Sequence, residues 1–353
     1  MWNSGFRTLL LLATLLAAGC SQEQQDCDPV GELEFVCGPV NAEDLVLAPG
    51  TDYILSSGMS AGGGFYLVDS TDGSWRPLEF DTRHDTETFA DCPAAPVTDE
   101  FETHGLNTRS VSDDTAMLYV VGHGGREAIE VFEVDTSGQP ELTWVGCVLM
   151  PEELAANSVA SFDDGSIVAT VLFMPGMTFE DAVVNKEPTG AVYKWSPGDD
   201  GFTLLYGSQL PANNGIEVSA DGTEIYVASS GYQTVVKYSN TNPVRFLGAT
   251  RQLPITPDNV HMAPNGMLLT AGMANDVPEC GGPPGPDHDI AILSACPRGT
   301  IAIEIDPVTM EDRILAQTPA LDEFSNATMV LTKDGEYWVG TFSGDRILRG
   351  QLP

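Results

Sequence analysis

Basic residues are scarce in this chain: 15 lysines and arginines stand against 51 aspartates and glutamates, for a formal net charge of −36. Lysine occurs only at Lys186, Lys194, Lys237 and Lys333. A surface so poor in cations cannot hold a polyanion, which excludes nucleic acid as a partner. Most of the acid reads as solvated surface, leaving a few carboxylates free to bind cations. Long apolar runs are also lacking. The best, Thr8 to Ala18, falls well short of the ~20 apolar residues that a membrane span needs. CxxC pairs are absent, which argues against a thiolate zinc site. Helical periodicity is nearly absent too. A serine-esterase nucleophile elbow is not read in the chain, so that mechanism is unsupported.

What is present begins with a processing signal. Arg7 precedes the short apolar run, and small residues lead into Ala17-Ala18-Gly19-Cys20. This is the pattern of a secretory signal ending in a lipobox over residues 1–20. Cys20 is expected to be lipidated, anchoring the chain to a membrane, and Ser21 after it favours the outer membrane of a Gram-negative cell. Removing Cys20 leaves Cys27, Cys37, Cys92, Cys147, Cys280 and Cys296, an even set in an exported chain. Disulfides are the expectation. Cys280 and Cys296 bracket a Gly/Pro-rich loop and form the one pair this reading names.

Residues 21–30, SQEQQDCDPV, are polar and read as a tether. From 31 to 353 one pattern recurs: a polar opening, alternating apolar positions, a turn, a stronger β-segment, then outer strands. The clearest copies are NSVASFDDGSIVATVLF from Asn157, NGIEVSADGTEIYVASS from Asn214 and DNVHMAPNGMLLTAGM from Asp258. Looser copies open at Glu43, His104 and Asn326. Successive openings are 44 to 68 residues apart, room for a four-stranded blade with insertions. Six copies predict an all-β, six-bladed β-propeller. The last copy lacks its outermost strand, and GELEFVCGP at 31–39 is placed to supply it, closing the ring without exposed edges. A two-sheet sandwich is the alternative, but it does not explain six equivalent copies.

In a propeller the first strand of each blade lines the central channel, so the openings converge. They are Glu43 with Asp44, His104, Asn157, Asn214, Asp258 with Asn259, and Asn326, all polar. Asn and Asp also cap turns anywhere, but six polar openings out of six exceed that expectation. Carboxylates converging in a narrow channel repel one another, and burying unpaired charge is costly. A divalent ion held by Glu43 and Asp258, with amide oxygens from Asn157, Asn214 and Asn259, would restore near-neutrality. An all-oxygen set suits Ca²⁺. His104 opens the second copy and His123 ends the neighbouring antiparallel strand, so both reach one rim as candidates for acid–base work. His84, His261 and His288 are expected to be structural or exposed.

These residues resemble the serum paraoxonase/arylesterase family and, more distantly, the gluconolactonase and strictosidine-synthase-like propellers. The resemblance is carried by AEDLVLAPGTDYILSSG, THGLNTR, LYVVGHGGREAIEVFEV, NNGIEVSADGTEIYVASS, PDNVHMAPNG and YWVGTFSGDRILRGQLP. It implies a six-bladed propeller holding two calcium ions and hydrolysing lactones and aryl esters. It also implies Glu43, Asn157, Asn214, Asp258 and Asn259 as ligands of the catalytic ion, and His104 with His123 as the catalytic pair. Asp44 and the Leu106 carbonyl match ligands of a deeper, structural ion. Three departures stand out. Ser158 replaces an aspartate on that second ion. Gly350 replaces the cysteine that the resemblance would pair with Cys37, so Cys37 must pair elsewhere, Cys27 being one candidate. SSGMSAGGG replaces an aromatic active-site loop, so substrate preference does not transfer. The expected function is a calcium-dependent lactone or aryl-ester hydrolase acting on small molecules. The alternative is a non-catalytic, lipid-anchored propeller that binds a protein or glycan; a lyase or condensing activity lacks a pocket signature.

Overall fold

Apolar alternation broken by Asp-Gly and Asn-Gly turns dictates hairpins. The turn glycines Gly165, Gly222 and Gly266 all take positive φ, which only glycine adopts freely. A computed structural model describes residues 27–275, 277–280 and 294–353. The signal, Cys20, most of the tether and His288 lie outside the described residues. β1 (Glu34–Cys37) comes first. Blade 1 holds β2 (Leu45–Leu47), β3 (Tyr53–Ser57), β4 (Phe65–Asp69) and β5 (Trp75–Leu78). β6 (Phe80–Thr82) leads into blade 2, which holds β7 (Glu102–Ser112), β8 (Thr115–His123), β9 (Ala128–Asp135) and β10 (Glu141–Leu149). Blade 3 has β11 (Val159–Ser161), β12 (Ile167–Val171), a short helix α1 (Phe179–Val183), β13 (Ala191–Trp195) and β14 (Thr203–Leu204). Blade 4 has β15 (Asn213–Val218), β16 (Glu224–Ser229), β17 (Thr234–Ser239) and β18 (Phe246–Ala249). Blade 5 has β19 (Ile255–Met262), β20 (Leu268–Ala274), β21 (Thr300–Ile305) and β22 (Asp312–Gln317). Blade 6 has β23 (Ala327–Lys333), β24 (Glu336–Thr341) and β25 (Arg346–Gln351).

The fold is the expected six-bladed propeller. Each blade is an antiparallel sheet in chain order, and β1 adds to β25 as the fourth strand of blade 6. The N-terminal strand thus closes the ring, with Glu34 opposite Arg349 and Cys37 opposite Arg346. One detail differs from the repeat. WRPLEF is not one outer strand: β5 ends at Leu78, and β6 crosses to blade 2 to lie parallel to β10. Aromatic packing holds it there, with the Phe80 ring 5.2 Å from Phe132 and 6.2 Å from Phe101, both edge-to-face.

The core fills the gaps between blades. Leu55 and Phe65 of blade 1 pack with Leu118 and Phe132 of blade 2, and Val168 of blade 3 packs with Ile216 of blade 4. Tyr226 meets Val260 between blades 4 and 5, Leu269 meets Val330 between blades 5 and 6, and Trp338 meets Leu45 where blade 6 returns to blade 1. A large-to-small change at a site such as Phe132 would cost about 3–5 kcal/mol. Three disulfides brace the periphery: Cys280–Cys296 as expected, Cys27–Cys37, and Cys92–Cys147, which fastens the loop after β6 onto β10. Among the described residues, no helix is long and apolar enough to cross a membrane.

Candidate metal centre and histidine relay

The ladder slips at three of the openings, His104, Asn214 and Asp258, and in blade 6 at Thr328, two residues beyond Asn326. Register shifts fall between Thr103 and Leu106, Asn213 and Ile216, Pro257 and Val260, and Ala327 and Val330, at equivalent places in blades 2, 4, 5 and 6. A bulge at that point frees a residue from pairing and re-aims its side chain. Close approach of neighbouring blades completes the ring. A Cβ on Gly105 would sit 2.7 Å from the Asn157 carbonyl, and one on Gly215 would sit 2.5 Å from that of Asp258. Both positions therefore require glycine. Thr170 on β12 donates to the Asn214 carbonyl at 2.6 Å, and Thr328 on β23 donates to that of Glu43, each tying its blade to the next blade's opening.

The structure brings Glu43, Asn214, Asp258 and Asn259 together. Asn259 Nδ2 donates to Glu43 Oε1 at 2.6 Å, Asn214 Nδ2 donates to Ser230 at 3.1 Å, and Asn214 also hydrogen-bonds Asp258. Several buried oxygens at the openings have no donor: Glu43 Oε2 and the Oδ1 atoms of Asn157, Asn214, Asn259 and Asn326. A buried acceptor without a partner costs about 1–3 kcal/mol, so a cluster of them calls for a cation or ordered water. Burial, with Asp44 and Asp258 adding to it, pushes the Glu43 carboxyl well above the usual range. Burial lifts Asp258 to about 7, opposed by the Asn214 hydrogen bond and helped by Asp44. These are acids in want of countercharge, and the donor set, two carboxylates and amide oxygens, fits a hard divalent cation. No group of three or more His, Cys, Asp or Glu among the described residues is arranged to hold a metal, so binding here would depend on the amides. Asn326, outside the ligand set that the resemblance implies, lies ahead of the blade 6 bulge, and its Nδ2 donates to the Ser294 carbonyl at 3.3 Å.

Beside this ring the two rim histidines meet. His104 Nδ1 lies 3.1 Å from His123 Nε2, and His104 Nε2 lies 3.7 Å from Glu43 Oε1. Glu127, not foreseen from sequence, takes His123 Nδ1 at 2.6 Å. That contact orders the relay. A proton on His123 Nδ1 leaves its Nε2 as acceptor, His104 Nδ1 then carries the donor, and His104 Nε2 turns a lone pair toward the ring. Burial, with His123 adding to it, lowers His104 to about 3, so it is neutral at ordinary pH.

Deeper in the channel the expectations shift. Asp44 is fully buried, and its carboxylate accepts Leu45 N–H at 2.9 Å, Leu106 N–H at 2.7 Å and His261 Nε2 at 2.8 Å. His261, expected to be structural or exposed, is therefore a channel residue. Once the bulge at Asp258 is passed, two-residue alternation carries Asn259 and His261 to the same face. Its Nδ1 faces Glu217 Oε2 at 3.7 Å. Burial opposes a charge on this ring, but Asp44 and Glu217 outweigh it and raise His261 to about 10. Glu217 and Asn107 sit three residues after Asn214 and His104, as His261 does after Asp258, so that spacing could have revealed this lower layer. His84 is a structural residue tilted on Trp144, with ring centres 5.1 Å apart.

A cavity of about 740 Å³ opens at the other mouth, among the hairpin turns, lined by Leu47, Glu217, His261, Met262, Leu331 and Lys333. Its polar groups are already paired: Lys333 with Asp52 at 2.8 Å, Glu217 with the Met262 N–H at 2.9 Å. Size does not mark the chemistry here, because the unpaired acceptors lie at the opposite rim. The letters G-x-S-x-G do occur, at Gly58-Met59-Ser60-Ala61-Gly62. They join β3 to β4 within a β-hairpin, whereas a nucleophile elbow needs a strand before the serine and a helix after it.

No protein-family model matches the chain, and no curated protein matches its sequence. Solved structures do. A gluconolactonase from Xanthomonas campestris superposes with a TM-score of 0.53 at 14% identity, covering 93% of this chain and 96% of that one. A luciferin-regenerating enzyme gives 0.54 at 12%, covering 92% and 95%. Regucalcin from Agrobacterium tumefaciens, a calcium-binding protein, gives 0.51 at 10%, covering 90% and 92%. The fold is theirs. At these identities the likeness extends to the architecture alone.

Proposed function

We propose that this chain is a calcium-dependent hydrolase of lactones or aryl esters, of the kind the paraoxonase resemblance implies. The observation that carries the reading is the set of unpartnered buried oxygens at the openings, with a histidine pair whose His104 Nε2 lies 3.7 Å from the Glu43 carboxylate. Glu43, Asn157, Asn214, Asp258 and Asn259 would hold the ion. When bound, it supplies polarisation of a carbonyl and stabilisation of the developing oxyanion.

The chain's own residues handle the proton. Water gives its proton to His104 Nε2 as its oxygen attacks the carbonyl carbon. His104 Nδ1 passes a proton to His123 Nε2, and His123 Nδ1 passes one to Glu127. A base lowered to about 3 is weak by itself, so the relay to a half-exposed carboxylate is what makes it serviceable. The glycine loop from Gly58 to Gly64 is pinned beside the dyad by Thr103, which accepts from Gly58 N–H at 2.8 Å and donates to the Gly64 carbonyl.

A panel of lactones and aryl esters, run with calcium and with chelator, tests the reading. Hydrolysis that appears with calcium and vanishes with chelator is the expected result. Calcium binding without turnover of any member would favour the non-catalytic propeller. The membrane anchor is a separate proposal resting on the lipobox: Cys20→Ser should abolish lipid labelling, and unchanged labelling would refute it.

A further inference from the structure

We propose that His261 fills the place of a second channel ion, so that this propeller holds one cation at its axis rather than two. The resemblance leads to the opposite expectation, with Asp44 and the Leu106 carbonyl among the ligands of a deeper calcium. The residues present do not fit that ion. Both Asp44 oxygens are engaged: Oδ1 accepts Leu45 N–H at 2.9 Å, Oδ2 accepts Leu106 N–H at 2.7 Å, and His261 Nε2 lies 2.8 and 3.0 Å from the two. Ser158 offers a neutral hydroxyl where a second carboxylate would be needed. Calcium takes 6–8 oxygen ligands, and here an imidazole stands between Asp44 and Glu217, the two carboxylates that could anchor them.

The replacement does the mechanical work of an ion. His261 sits on β19 of blade 5, Asp44 just ahead of β2 in blade 1, Glu217 on β15 of blade 4 and Leu106 on β7 of blade 2. Hydrogen bonds and close ionic contacts from one buried cluster therefore tie four blades together across the axis. Metal removal should empty the rim and leave this hub intact. The inference does not depend on the rim being catalytic.

Equilibrium dialysis of calcium against the whole protein counts the ions. Asp44→Asn should leave the number of tightly bound ions per chain unchanged, whereas Asp258→Asn, at the rim, should lower it by one. His261→Asp, which puts a carboxylate beside Asp44 and Glu217, should raise the count by one and make the melting temperature rise more with calcium than that of the unaltered protein. Loss of an ion in Asp44→Asn, or two tight ions in the unaltered protein, would overturn the proposal. Should Asp44→Asn fail to fold, the unaltered protein's count and that of His261→Asp decide the same question. An unchanged count in Asp258→Asn would instead count against the rim site, so the two readings fail separately.

Discussion

At the rim of the channel acceptors outnumber donors; three residues deeper along the same strands, every charged oxygen has found one. Glu43 and Asp44 are adjacent in sequence and both buried, yet Glu43 Oε2 has no partner while both Asp44 oxygens are engaged. The histidines divide the same way. Burial drives His104 to neutrality, whereas Asp44 and Glu217 hold His261 as a cation. Leaving several acceptors unpaired costs stability, and a chain able to satisfy the lower layer could satisfy the upper one. On the proposed reading the rim is left unsatisfied for a cation to bind there.

That contrast can be broken most severely at Asp258. Asp258→Asn keeps the shape and removes one of the two rim charges, so calcium affinity should fall on the order of 100-fold, with hydrolysis falling in step. Full hydrolysis by this variant in chelator would remove the metal from the mechanism. His104→Gln should cut turnover by about 10²-fold or more while calcium titrations stay close to those of the unaltered protein. If calcium binding fell as well, His104 would belong to the ion's site rather than to the proton relay. Glu127→Gln should cost about 10-fold, because an amide can still touch His123 Nδ1 but cannot take its proton. Imidazole nitrogen shifts in NMR would then show the two rim histidines losing their fixed tautomers, which a merely structural role for Glu127 would not produce.

The smallest effect sharpens the contrast through pH. His261 is raised to about 10 from an unfolded value near ~6.5, so its contribution to stability is full below ~6.5 and is lost as pH rises toward 10. His104 has the opposite sign: lowered to about 3, it stays neutral while the unfolded chain takes up protons, and stability falls as pH drops below ~6.5. Melting curves of His261→Gln should flatten the alkaline limb and leave the acidic limb as it was. An unchanged alkaline limb would contradict the charge assigned to His261.

The blades were legible because a propeller repeats itself: the openings at Asn157, Asn214 and Asp258 stand at matched distances before turn glycines, and of the opening residues Glu43, Asn214, Asp258 and Asn259 come together. Closure by residues 34–37 was legible for the same reason, since only one blade lacked an outer strand. Glu127 was not, because its contact with His123 spans the loop after β8, whose path no repeat fixes. His261 was passed over although its offset from Asp258 equals that of Glu217 from Asn214. Reading it required the bulges, which shift the two-residue alternation by one and turn an apparently mid-strand residue inward. Cys92–Cys147 spans 55 residues across blade 2, a distance over which spacing gives no geometry.

Whether the unpaired rim oxygens exist for one cation is decided by a crystal structure of the calcium-loaded protein. The expected result is a single channel ion within about 2.3–2.6 Å of oxygens from Glu43, Asn157, Asn214, Asp258 and Asn259, with His261 still bonded to Asp44. An ion lodged at Asp44 with His261 displaced, or a rim whose amides have turned to pair with one another in saturating calcium, would contradict it.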